Sequence, residues 1–361
     1  GNNRNHNALL FEAHFHRKRK NVRKEAKRMP KEKKSGSRKA LKVICIILAI
    51  LVVVFAGLDV SSRLAYHRSG IATIAEWVIR LGGSKSKFTD PDKCAEYIAL
   101  RGQTEPYTLN IKLKSSVSEE KINGSTVYTL TPSQQPQYVV LYLHGGAYVN
   151  DASNMYFKFC DQLAQQVNAQ VVFPIYPLAP NHTWEETFTL LTEIYQGRLN
   201  EAGVPVIVMG DSAGGGLSVA FCEYLAEIGL RQPDKIILFS PWMDVSMSNA
   251  EAAAYEDSDP MLSAYGLVEM GRYWAGELDL KDYRVSPIFG DISVLKNVSL
   301  FVGTREIFYP DVTSFYNLLQ EQGVASRLYI GEGMNHVYPL YPIPEAGEAV
   351  RQVYQIIRDQ D

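Results

Sequence analysis

Val204-Pro205-Val206-Ile207-Val208-Met209-Gly210-Asp211-Ser212-Ala213-Gly214-Gly215-Gly216-Leu217-Ser218-Val219 is the stretch on which the reading of this chain turns. Residues 204–209 are apolar and mostly β-branched, the composition of a buried strand. Residues 210–214 are a G-x-S-x-G, after which small residues open an apolar helix reaching to about Ile228. Strand, glycine turn and helix together make a nucleophile elbow, in which flanking glycines give room for a turn that lifts the Ser212 hydroxyl above the sheet. The helix start also directs free backbone N–H groups at negative charge developing beside that serine. An incidental glycine-rich turn has the same five residues, but the strand before and the helix after favour the catalytic reading.

Outward from the elbow, the 361 residues are 46% hydrophobic and 21% charged, ordinary globular composition with a net charge of −2. The balance hides an asymmetry. Residues 1–42 carry 15 Lys and Arg against 3 Asp and Glu, and the remainder carries 22 against 36. Between the two lies the uncharged run 43–58, which ends at Asp59 and is extended at its start by Ala40 and Leu41. A run of this kind reads as a membrane span over 40–58, with the basic segment 1–39 disordered on the cytoplasmic side and the acidic remainder exported. A core helix would show a polar face at 3.6-residue spacing, and none is present. Cleavage after Val54-Phe55-Ala56, giving a secreted protein, is the rival reading; the long basic leader favours a retained anchor. The chain does not open on Met, and Met29-Pro30-Lys31 offers a start that would leave residues 1–28 outside the native protein. The basic run reads as a solvated arm near anionic lipid rather than a nucleic-acid site. Cys45, Cys94, Cys160 and Cys222 are too few and too scattered for a disulfide framework, have no metal-ligand spacing, and predict free thiols. No metal or cofactor is implied.

Residues 59–104 read as helical. Ile71, Ile74, Ala75, Val78 and Leu81 recur on one face, which predicts an amphipathic helix ended by Gly82-Gly83 and packed as a cap over the site. A second helix begins at Thr89-Asp90-Pro91-Asp92. Residues 105–361 form the catalytic domain. Strands are predicted over 107–113, 125–130 and 137–143, the last running into His144-Gly145-Gly146-Ala147-Tyr148. Helix and strand then alternate: helix 156–167, strand 169–176, helix 184–198, the elbow, strand 235–240, helix 262–275, strand 298–302, helix 312–322, strand 326–330 and helix 345–358. That alternation predicts a mainly parallel sheet covered on both faces, with antiparallel strands at its N-terminal edge.

A serine hydroxyl needs a base to take its proton, and the base needs a third group to hold its tautomer. His336, in the loop Gly333-Met334-Asn335-His336-Val337, is the one histidine after Ser212. The acid belongs just past a strand between the two. Strand 298–302 and the following Gly303-Thr304-Arg305-Glu306 point to Glu306, with Asp311 as fallback; Asp244, Asp257 and Asp259 lie further from a strand end. For the oxyanion, Gly145 and Gly146 at a strand end and Ala213 after the nucleophile offer backbone N–H groups. Asp211 reads as a structural hydrogen-bonder, and Trp77 and Tyr148 as pocket linings or plain core.

Four blocks in order, His144-Gly-Gly-Ala-Tyr148, Tyr176-Pro-Leu-Ala-Pro180, Gly210-Asp-Ser-Ala-Gly214 and Gly333-Met-Asn-His336, resemble the hormone-sensitive-lipase-like branch of the α/β-hydrolases over residues 105–360. The resemblance implies an α/β-hydrolase core, a cap drawn from N-terminal helices, and carboxylesterase activity on small or short-acyl esters and acetyl groups. It departs at Glu306, where the family usually has aspartate. The expected protein is a membrane-tethered serine esterase acting on a small ester. An amidase or peptidase of the same fold, or a non-catalytic binding protein, are the alternatives.

Overall fold

The computed structural model describes residues 16–20, 24 and 34–359. The chain divides into two units, Gly1–Gly57 and Leu58–Asp361. Helix α1 (Lys34–Tyr66) continues past the end of the apolar run. Its portion Ala40–Tyr66 is long and apolar enough to cross a membrane.

The second unit is built on an eight-stranded sheet of order β1-β2-β4-β3-β5-β6-β7-β8. Its strands are β1 (Ser116–Ile122), β2 (Ser125–Thr131), β3 (Tyr138–Leu143), β4 (Ala169–Pro174), β5 (Val206–Asp211), β6 (Lys235–Phe239), β7 (Val298–Gly303) and β8 (Ser326–Gly331). β1 and β2 are antiparallel to their neighbours, and every pairing from β4–β3 to β7–β8 is parallel. This is the mainly parallel sheet with an antiparallel N-terminal edge that alternation predicts.

Successive residues of the central strands bury on opposite faces, as the two-residue strand period requires. Val139, Leu141, Leu143, Val206 and Val208 enter the core with Leu217 and Phe221 of α7 (Ser212–Glu227). Val140, Tyr142, Ile207 and Met209 enter the other, with Phe157 of α5 (Asn154–Val167). Each fully buried side chain of this kind contributes about 1.5–3 kcal/mol. The remaining helices are α2 (Gly70–Leu81), α3 (Ser86–Thr89), α4 (Pro91–Arg101), α6 (Trp184–Ile194), α8 (Ala264–Ala275), α9 (Tyr309–Glu321) and α10 (Pro344–Arg358).

Two expectations need correction. The strand predicted over 107–113 is not one: Tyr107, Leu109, Ile111 and Leu113 run along the core as unpaired chain. The strand at this edge is β1, whose residues are nearly all exposed, so no apolar alternation betrays it. What does is Asn123-Gly124, both at positive φ (48° and 81°), the two-residue hairpin turn that fixes β1 against β2. The second correction concerns α2. Its apolar face does not pack on the domain: Ile71, Ile74, Val78 and Leu81 are 42, 38, 63 and 86% exposed, and Trp77 on the same side is 50% exposed. Ala72, Thr73 and Glu76 are the inward residues. Glu76 decides this, because it pairs with Arg68 and Arg305 inside the protein, and a buried carboxylate must keep its partners.

Cys94, Cys160 and Cys222 are buried free thiols.

Candidate active site

The register of the parallel strands brings the site loops together. Leu143 pairs with Gly210, Asp211 with Phe239, Phe239 with Phe301, and Gly303 with Gly331. The segments leaving β3, β5, β6, β7 and β8 therefore emerge side by side at the carboxyl edge of the sheet, where open α/β sheets bind ligands.

Ser212 stands between β5 and α7 with φ 52°, a left-handed backbone that is unfavourable for serine and is held by its surroundings. The flanking glycines are sterically required. A Cβ on Gly210 would lie 2.3 Å from the Gly214 carbonyl oxygen, and one on Gly214 would lie 2.1 Å from the Leu143 carbonyl oxygen. The turn closes only because both lack side chains.

His336 Nε2 lies 2.9 Å from Ser212 Oγ, and His336 Nδ1 lies 2.6 Å from Glu306 Oε2. A carboxylate only accepts, so Nδ1 donates to Glu306 and Nε2 is left to accept from the serine hydroxyl. Glu306 is wholly buried, and its second oxygen accepts from Ser240 Oγ at 2.7 Å and Gly303 N at 2.6 Å. Ser240 Oγ in turn accepts from Val337 N at 2.9 Å, so one hydroxyl ties the acid to the histidine loop. Phe308 packs edge-on to His336 at 5.1 Å. Burial by itself disfavours the imidazolium, but the Glu306 carboxylate outweighs it and holds the His336 pKa above its usual 6.5.

The fallback Asp311 and the three aspartates set aside, Asp244, Asp257 and Asp259, do not bond to His336. Asp311, in the first turn of α9, accepts from Asn249 Nδ2 at 2.8 Å, and burial pushes its carboxyl up to about 6. The fallback acid is therefore spoken for by Asn249, not His336. Asp244 accepts from the N–H and hydroxyl groups of Ser246 and Ser248. Asp257 is exposed. Asp259 is buried and braces the acid loop from outside, accepting from Ile307 N at 3.0 Å.

The glycine loop after β3 also differs from expectation. Gly145 does not offer a free N–H, because it donates to Asp211 Oδ1 at 3.0 Å. Asp211 accepts as well from Tyr142 Oη at 3.0 Å and Tyr156 Oη at 3.2 Å, and burial raises its carboxyl to about 6. It is a structural hydrogen-bonder that holds the loop against Ser212. Among the described residues the N–H groups of Gly146, Ala147 and Ala213 meet no acceptor. Ala147, at φ 53°, is the residue that the two-glycine reading missed. Nothing local marks it, since the choice of donor depends on Asp211 engaging Gly145. Tyr176 of the second motif donates from Oη to the His144 carbonyl at 2.6 Å and stacks on the His144 ring at 4.4 Å, bracing the loop. Of the two aromatics read as possible linings, Tyr148 is buried against Trp274 and Trp242, and Trp77 is on the outward side of α2. Among the described residues no cluster of three or more His, Cys, Asp or Glu side chains could hold a metal ion.

Fold and site geometry together have the arrangement of a hydrolase, with the elbow serine at the carboxyl edge of the sheet. A family model for the α/β-hydrolase fold matches residues 140–340. The esterase of Acinetobacter venetianus is 27% identical over 228 residues, 62% of this chain and 75% of its own length. The acetyl-hydrolase of Streptomyces hygroscopicus is 24% identical over 241 residues, 66% of this chain and 81% of its own. In fold, a crystal structure of an esterase from the bacterial hormone-sensitive lipase family matches with a TM-score of 0.69 over 81% of this chain and 99% of that one, at 23% identity. The chain belongs to the α/β-hydrolase fold family and is an ester hydrolase.

Proposed function

We propose that the protein is a membrane-anchored serine carboxylesterase acting on small or short-acyl esters, acetyl esters among them. The observation that carries the reading is the unbroken hydrogen-bonded line Ser212–His336–Glu306, 2.9 Å and 2.6 Å, at the carboxyl edge of the sheet. Ser212 Oγ attacks the ester carbonyl carbon while His336 Nε2 takes its proton. The carbonyl oxygen becomes an oxyanion, held by the unengaged N–H groups of Gly146, Ala147 and Ala213. Collapse expels the alcohol, which leaves with the proton from His336, and an acyl-serine remains. Water, deprotonated by His336, then releases the acid and restores Ser212. Glu306 keeps His336 in the required tautomer and stabilises its cation throughout. The short-acyl preference rests on the four motifs and on the likeness to an acetyl-hydrolase. The anchor is the apolar part of α1, residues 40–58 within the helix Ala40–Tyr66, with the basic leader on the cytoplasmic side and the catalytic domain outside.

The test is hydrolysis of p-nitrophenyl acetate, butyrate and laurate by the detergent-solubilised chain beside its Ser212→Ala variant. Fast turnover of the two short esters, reduced to background by the substitution, is expected. Equal rates for the two proteins would overturn the mechanism. Carbonate extraction of expressing cells reads the anchor, which should keep the protein in the membrane pellet.

A further inference from the structure

We propose that the outward face of α2 is a bilayer-docking surface, bedded in the interfacial layer of the membrane from which α1 emerges. The inference rests on the reading of α1 as an anchor. Ile71, Ile74, Trp77, Val78 and Leu81 fall on one side of α2, and all five are exposed. An amphipathic helix at the surface of a water-soluble domain turns its apolar stripe inward. Here the arrangement is inverted, and it is built in rather than incidental.

Three sets of contacts hold α2 in this rotation. Glu76 faces inward, 2.6 Å from Arg68 and 3.2 Å from Arg305. Ser69, the N-cap, has its N–H 2.6 Å from Glu345 Oε1 and its hydroxyl 3.0 Å from Glu345 Oε2. Arg68, 3% exposed, donates to Thr73 Oγ1 at 3.0 Å and to the Gly333 carbonyl at 3.0 Å. Turning the apolar stripe inward would pull a carboxylate and a guanidinium out of this network and leave them unpaired. The stripe therefore has no cover among the described residues.

The choice of a lipid surface over another occupant comes from position. Gly70 N, at the start of α2, donates to Asp59 Oδ1 at 2.7 Å. Asp59 is the first charged residue after the apolar run 43–58. The beginning of α2 is thus pinned to the level at which the anchor leaves the hydrocarbon and meets the headgroups. An apolar helical face held at that depth is in the place where interfacial helices bury such faces. Trp77 and Tyr66, 50% and 44% exposed, are the residue types enriched at this layer.

The full chain is reconstituted into phosphatidylcholine vesicles in which a fraction of the lipid is brominated near the glycerol end of the acyl chains, and tryptophan emission is recorded. Of the four tryptophans, Trp242 and Trp274 are fully buried and Trp184 is half-buried, so Trp77 reports contact with lipid. Quenching in the native chain that is lost in Trp77→Phe, and reduced in Val78→Asp with Trp77 retained, is the expected result. Vesicle flotation is measured on the same samples. Protein that floats with the vesicles while Trp77 stays unquenched would overturn the docking face but leave the anchor standing. A stripe covered instead by a second copy of the chain gives that outcome. Protein that fails to float would overturn both.

Discussion

Replacing Glu306 by glutamine tests the proposed mechanism most sharply, because the surroundings of the carboxylate dictate how the amide must sit. Oε1 faces two donors, Gly303 N–H at 2.6 Å and the Ser240 hydroxyl at 2.7 Å. Ser240 can rotate its hydroxyl, but Gly303 N–H is fixed. An amide NH2 in that place would set donor against donor at a fully buried position, a penalty of about 1–3 kcal/mol. The amide oxygen therefore takes the Oε1 position and the NH2 faces His336 Nδ1. To accept from it, the imidazole must move its proton to Nε2, and it then cannot take one from Ser212. Reaching the working tautomer requires the clash just described. The charge-assisted bond to the imidazolium, worth about 1.5–3 kcal/mol, is lost as well. Together these come to about 2.5–6 kcal/mol, or about 10²–10⁴-fold in kcat. The assay is kcat for p-nitrophenyl butyrate across pH 5–9, with circular dichroism to show that the fold is kept. The native chain gains activity as His336 loses its proton, with a midpoint above 6.5 because Glu306 raises it. In Glu306→Gln that source is gone, so the residual activity rises at lower pH. A variant within threefold of native kcat, or one whose acid limb moves upward, would refute the assignment of Glu306.

Other outcomes follow from the same contacts. Asp211→Asn should fold and keep most activity, since its oxygen can accept from Gly145 and Tyr142 while its NH2 donates to Tyr156. Asp211→Ala leaves three buried donors unpaired and should lower stability by about 3–6 kcal/mol in urea unfolding. Gly214→Ala drives a Cβ to 2.1 Å from the Leu143 carbonyl and should abolish turnover or folding, which a soluble-expression assay and p-nitrophenyl acetate distinguish. Burial of Glu76 disfavours its charge, but the bonds from Arg80 and Arg68 prevail and hold its pKa below the usual 4.5. Its folded pKa is depressed, so its stabilisation is present above pH 4.5 and is lost as pH falls through the lower folded value. Glu76→Ala should therefore cost about 3–5 kcal/mol near neutral pH, by leaving Arg68 buried without its partner, and flatten the acid limb of Tm against pH.

What the sequence determined by itself was whatever is written in local pattern or chain order. The apolar run 204–209 followed by Gly210-Asp-Ser-Ala-Gly214 specifies a strand, turn and helix because residue type alone marks each element, although the strand's backbone is paired by β3 and β6, far away in the chain. Alternation of apolar strands and helices implied a parallel sheet, and chain order placed His336 and Glu306 after Ser212 at strand ends. The edge strand 116–122 escaped because its side chains are mostly polar and nearly all exposed, with Val117 and Ile122 on opposite faces, leaving Asn123-Gly124 as its signal. The three-dimensional arrangement decided what depends on groups far apart in the chain. It engaged Gly145 through Asp211, 66 residues away, and so moved the unengaged N–H groups to Gly146 and Ala147. It made Ser240 the tie between Glu306 and the histidine loop, and gave Asp311 to Asn249. It turned α2 inside out, because pairing Glu76 with Arg305, 229 residues on, outweighs hiding an apolar stripe. Periodicity shows that a helix has two faces; which one meets the protein depends on the partners that folding brings to it.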